Sequence, residues 1–280
     1  MHTKTQTFFI PLLLAGALLL PACAPFITIQ WQDEPTAIQQ PSAAPLATAV
    51  ETTEQIADMD VDSSPEVVIN TGGVAAGFIA ETIPAVTEGG EGPYWGELPE
   101  HTRLAIQGYP ISSHLMQPQI FIYPVQKLAE VNEGGGQKAA ALNALLQAPQ
   151  ETETLPFMPQ VNAMQVLNAH VQFMDFGSGR GLRYLVQFSQ AIVPINNYEL
   201  IYTYQGLTSD GKYYVAAMLP VTHPSLPADG LVNGDEAQAF AEDYEAYLAE
   251  TAAALNAQPA GSFTPNLETL DAMLRSLEIR

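Results

Sequence analysis

One cysteine, two tryptophans and nine basic residues among 280 set the first limits on this chain. A lone thiol forms no internal disulfide, so packing alone must hold any folded part. Against the nine Lys and Arg stand thirty Asp and Glu, a formal charge of −21. Such a surface repels phosphate backbones, and no basic cluster offsets the repulsion, which excludes nucleic acid as a partner. The longest apolar run, residues 8–20, is shorter than the roughly twenty residues of a comfortable membrane span. Beyond the first residues the histidines are His101, His114, His170 and His223. None lies three or four positions from another, and there is no HExxH pattern, so neither a metal nor a cofactor is expected.

What is present begins at the N-terminus. Lys4 gives a positive start, residues 8–20 an apolar stretch, and Leu20-Pro21-Ala22-Cys23 follows directly. The pattern resembles the lipobox of bacterial lipoproteins. That resemblance implies a signal peptide over residues 1–22, removed when a diacylglycerol is attached to Cys23. The mature chain would then be extracytoplasmic, with the membrane as partner through its lipid and no spanning helix. Secretion with ordinary cleavage near Ala22 is the competing reading of the same residues.

No Lys or Arg occurs between Lys4 and Arg103, and the intervening chain is rich in Pro, Thr, Ala and Gln. One-sign charge with few aromatics buries too little apolar surface to offset chain entropy. Residues 23–92 therefore read as a disordered acidic tether that folding does not require. An island at Val67-Val68-Ile69 and Phe78-Ile79 is the one place where a strand or a docking contact is foreseen. A poorly packed N-terminal domain is the alternative for this stretch.

From residue 93 onward aromatic and aliphatic residues are dense, and 93–280 reads as one domain. Alternation predicts strands at 102–109, 119–123, 166–176, 182–188, 198–205 and 212–219. Gly177-Ser178-Gly179 and Ser209-Asp210-Gly211 mark hairpin turns. Helical spacing runs from Val125 to Gln147, weakened at Gly134-Gly135-Gly136. Two further helices carry Phe240, Tyr244, Leu248, Thr251 and Leu255, then Leu267, Leu270, Leu274 and Leu277 behind Thr264-Pro265. Sequential hairpins argue for an α+β class: an antiparallel sheet of about six strands with helices packed on it. That element order resembles the PsbP-like and Mog1-like sandwich folds. Tyr94-Trp95, Gln107-Gly108-Tyr109 and Asn196-Asn197-Tyr198-Glu199-Leu200-Ile201-Tyr202 resemble uncharacterised envelope lipoproteins, which implies location and fold but no chemistry.

Chemistry-bearing residues are few. Ser178 lies between two strands, outside the strand-to-helix elbow a nucleophile needs. Gly134-Gly135-Gly136-Gln137-Lys138 lacks the spacing of a phosphate loop. Glu242, Asp243, Glu245 and Glu250 read as a solvated helix face. Glu199, beside Asn196 and Asn197, is the one candidate for acid–base work, and a hydrogen-bonding role is its ordinary reading. Tyr184, Tyr202, Tyr204 and Tyr213 are expected on one sheet face with Tyr214 on the other, either as core or as a stacking platform. No catalytic residue is assigned. The expectation is a non-enzymatic binding or interaction domain for an envelope protein, peptide or glycan; the alternative is a cell-surface hydrolase with dispersed residues.

Overall fold

The computed structural model of the chain describes residues 65–86, 96–150, 152, 154–232, 234 and 236–280. The signal-like run, Cys23 and Tyr94-Trp95 lie outside them. The described part is α+β, as the hairpin pattern requires. Seven strands form one antiparallel sheet in the order β2-β3-β4-β8-β7-β6-β5. They are β2 (Gly77–Ile83), β3 (His101–Gln107), β4 (Gln119–Pro124), β5 (Met164–Phe176), β6 (Gly179–Ser189), β7 (Ile201–Thr208) and β8 (Tyr213–Pro220). A separate two-stranded ribbon pairs β1 (Val67–Val68) with β9 (Glu278–Ile279).

Residues in the central strands are buried on both faces, and their alternation sorts them between two cores. Val215, Ala217 and Leu219 of β8 enter one cluster, while Tyr214, Ala216 and Met218 enter the other. The first core is covered by α4 (Tyr244–Asn256) and α5 (Leu267–Arg275), the second by α1 (Val125–Val131) and α2 (Glu133–Gln147). The leucine stripe of α5 behaves as its spacing predicts: Leu267, Leu270, Leu274 and Leu277 are all fully buried.

Within that stripe sits a charge. Asp271 is 4 % exposed, and its Oδ1 accepts from Arg183 Nε at 3.1 Å and from Tyr202 Oη at 2.8 Å. Arg183 also donates to the His170 carbonyl and, at 2.9 Å, to Gln172 Oε1. These contacts hold the register shift between Ala169 and Gln172 on edge strand β5, where His170 has φ 51°.

The tether boundary needs correction. Residues 77–83, placed by composition in the tether, form β2 and pair along their whole length with β3. Val74 is buried, and Val67, Ile69 and Phe78 pack on the first core. The island is therefore part of the domain, which starts by residue 66, where Glu66 exchanges two backbone hydrogen bonds with Arg280. The strand foreseen at Phe78-Ile79 is β2; composition set the boundary too late because β2 alternates around only a few apolar side chains and takes its pairing from β3. Other boundaries shift less. The helical break falls at Asn132, whose Oδ1 caps α2 by accepting from Gly135 N at 2.7 Å; the glycines occupy the first turn. The predicted helix around Phe240 is two, α3 (Ala237–Glu242) and α4, joined at Asp243. Asn266 caps α5, its side chain accepting from Glu268 N.

Two outcomes follow. A chain starting at residue 65 should melt as the full protein does, whereas one starting at 93 should lose about 10 °C, because a shift of that size corresponds to roughly 3 kcal/mol of lost burial and pairing. Asp271→Ala leaves a buried guanidinium unpaired and should cost about 3–5 kcal/mol by urea unfolding. The Arg183→Leu/Asp271→Leu double variant should recover much of that loss.

Candidate functional site

After α2 the chain crosses the second face of the sheet as a strap, and Leu155, Pro156, Phe157 and Met158 of that strap are buried. Glutamines and a tyrosine of the sheet fasten it. Gln165 Oε1 accepts from Leu155 N at 2.8 Å, Tyr184 Oη donates to Pro156 O at 2.8 Å, and Gln205 Oε1 accepts from Met158 N at 2.9 Å. Gln205 is fully buried and is satisfied further by Tyr214 Oη at 2.7 Å and Thr203 Oγ1 at 2.7 Å. Bonded at three points and with its apolar side chains in the second core, the strap is fastened against the sheet.

Between strap, α2 and the β5–β6 edge lies a pocket of about 350 Å³, within the range of small-molecule sites. Its apolar wall is formed by Phe157 and Phe188, whose rings lie 4.6 Å apart at 55°. Gln160, Asn162 and Gln165 add amides, and Lys138 of α2 adds a cation. Gln160 Oε1 is buried without a hydrogen-bond partner. Its amide packs so close to α2 that a Cβ at Gly134 would sit 2.1 Å from Nε2, so the glycine is what admits the strap there. The same triplet meets the core next door, where a Cβ at Gly135 would press on Leu128 at 2.8 Å.

Lys138 differs from the other bases. Arg103 pairs with Glu81, Arg180 with Asp175, Arg183 and Arg275 with Asp271, Lys212 with Asp210, and Arg280 with Glu278. Lys127 is engaged as well. Lys138 is the base among the described residues with no carboxylate partner.

The residues singled out in the sequence do not converge. Tyr202 and Tyr204 belong to the first core, but Tyr184 joins Tyr214 in the second, and all four are fully buried. The expected shared face for Tyr184 is corrected by the register, which sets it opposite Thr203. With no face open to solvent, these rings offer no stacking platform. Ser178 docks the ribbon: its Oγ accepts from Ile279 N at 2.7 Å. Glu199 Oε2 accepts from Gln187 Nε2 and Asn196 Nδ2, each at 3.0 Å, a hydrogen-bonding carboxylate that fixes the 194–200 turn.

The histidines are likewise engaged. His170 Nε2 contacts Leu255 O at 2.7 Å. His223 bridges Ser225 and Ser262, and His101 bonds Pro99 O at 2.8 Å. Met116 N donates to His114 Nδ1 at 2.9 Å, so the ring proton lies on Nε2 and is donated to Leu200 O at 2.9 Å. Burial holds all four below the usual histidine range. Among the described residues no group of three or more His, Cys, Asp or Glu is placed to hold a metal ion.

No protein-family model matches the chain, and neither a curated protein nor a solved structure matches it.

The pocket was hidden in the sequence. Lys138 was visible only as the tail of a failed phosphate-loop pattern, and Phe157 and Phe188 as an unremarked loop residue and a strand end. The sole signal was the scarcity of cations, which makes each one without a nearby acid informative.

His114 gives a pH dependence with a definite sign. Its folded pKa lies below the 6.5 of the unfolded chain, so the unfolded state takes up the proton first. Stability is therefore complete above about pH 6.5 and falls as pH drops through that value, by at most about 1.4 kcal/mol per pH unit for one site. His114→Asn should show a shallower loss of melting temperature between about pH 7.5 and 5.5 than the parent protein. Equal slopes would mean that His114 does not titrate differently on folding.

Proposed function

We propose that this protein is a ligand-binding domain carried outside the cytoplasm on a lipid anchor. The observation that carries the binding reading is the strap pocket: it is preformed, and it combines an aromatic wall with amides and a cation that has no carboxylate partner among the described residues. Ser178, Glu199 and the four described histidines are engaged in internal hydrogen bonds instead. The anchor rests on the position of the sole cysteine, directly after the apolar run. Among the described residues no helix is long and apolar enough to cross a membrane, so attachment would fall to Cys23 and its lipid. An acidic mature chain has little attraction for anionic headgroups, which makes the acyl chains the whole of the membrane affinity.

Both halves are testable. Mass spectrometry of the mature N-terminus should find Cys23 as the first residue, carrying a diacylglycerol, and Cys23→Ser should lack that mass because a hydroxyl does not supply the thiolate for transfer. An unmodified Cys23 would overturn the anchor. For binding, a fragment screen by NMR on the soluble mature protein should shift signals of Lys138, Phe157, Gln160 and Phe188 together. A screen in which no fragment moves them would overturn the pocket as the ligand site.

A further inference from the structure

From the groups left unmatched in the strap pocket we infer that its ligand is a small carboxylate with an apolar body and an adjacent N–H or O–H donor. The inference rests on the pocket being the ligand site. Three features of the wall each specify one part of the ligand. Lys138 is the described base with no carboxylate partner, in a chain where acids outnumber bases thirty to nine. With such an excess of acid, an ammonium on a pocket wall is available for an anion that arrives from outside. The chain's overall negative charge does not exclude that anion, because exposed charges further than about 8 Å away are screened at physiological salt. A local ammonium acts inside that distance.

The second feature is Gln160. The side chain lines the pocket, and its Oε1, packed against α2 at Gly134, is buried and accepts from no group among the described residues. A buried acceptor without a donor is destabilising, so a turn of the amide that brings it to a ligand N–H or O–H in the pocket removes an existing penalty. The third feature is the tilted Phe157–Phe188 pair, which offers apolar area and a ring edge to an aromatic or branched aliphatic body. Gln165 contributes shape rather than recognition, since both ends of its amide are already bonded to Leu155.

An N-acylated amino acid combines the three requirements, and so does the C-terminus of a peptide. The experiment therefore uses N-acetylphenylalanine, its carboxamide and a tetrapeptide ending in phenylalanine, each titrated into the mature protein by calorimetry and NMR at about 50 mM salt. The acid should bind at least about tenfold more tightly than the carboxamide, with shifts at Gln160 and Phe188. Lys138→Gln, a half-exposed helix position where both residues are good helix formers, should leave the melting temperature unchanged and abolish that preference. Phe188→Ala should weaken acid and amide alike. Tetrapeptide binding equal to that of the acetylated residue points to peptide C-termini, and much weaker binding points to free acylated amino acids; either outcome retains the carboxylate.

Equal affinities for acid and amide would overturn the inference while leaving the pocket a ligand site. A preference that survives Lys138→Gln would overturn it in the same way. Fragment hits at the pocket with no response to any of the three probes would also overturn it.

Discussion

Helix α5, the hairpin strands β6 and β7 and the bulged edge β5 meet at one buried ion pair, Arg183 with Asp271. The guanidinium, on β6, reaches Asp271 on α5, Gln172 beyond the bulge and the His170 carbonyl within it. Tyr202 from β7 completes the carboxylate's partners. Removing water from two charges costs several kcal/mol, and the pair returns that only with good geometry and further hydrogen bonds. Here both conditions hold. The consequence is positional: α5 can dock in one register only, with its leucines inward and β9 delivered to its partner β1 at Val67–Val68. His170 adds a second tie, since its backbone N–H reaches Asn256 Oδ1 and its ring the Leu255 carbonyl at the end of α4.

The opposite face uses neutral groups for the same purpose. Gln165, Gln205, Thr203, Tyr184 and Tyr214 bond the strap and one another, with no charge buried beneath it. Fully satisfied networks of this kind specify one arrangement of a core, while half-satisfied ones are costly. Against that background two polar atoms on this face stand out as partnerless: Gln160 Oε1, on a side chain that lines the pocket, and Tyr123 Oη in the second core. The two faces thus divide the work: one fixes α4, α5 and the β1–β9 ribbon, the other fastens the strap to the sheet beside the pocket.

Much of this fold was legible in the sequence. Alternation in Tyr213–Pro220, the Asp210-Gly211 turn and the four-leucine stripe of α5 are local signals, and each led to the element found. Asp210 accepts from Thr208 Oγ1 and Lys212 N, the closed turn that Asp-Gly between two strands implies. What was not legible depends on pairing across distance. Strand β2 has a modest pattern of its own and is stabilised by β3. Tyr184 was assigned the wrong face because parity within one strand does not fix parity in the next until register is known. The pocket was least visible of all, since its wall combines a helix cation, a loop ring and a strand ring brought together only by the strap. The acids and histidines that looked chemical in isolation proved to be the fold's own hydrogen-bonding groups.

The most direct test of the central claim is native-state hydrogen exchange on the intact mature protein, read at the amides of α5 and of Gln172 and Arg183. If the buried pair joins helix and bulged edge into one cooperative unit, these amides should exchange with a common free energy close to that of global unfolding. Exchange of α5 through a separate, lower-energy opening, with the β5–β6 amides still protected, would contradict the account.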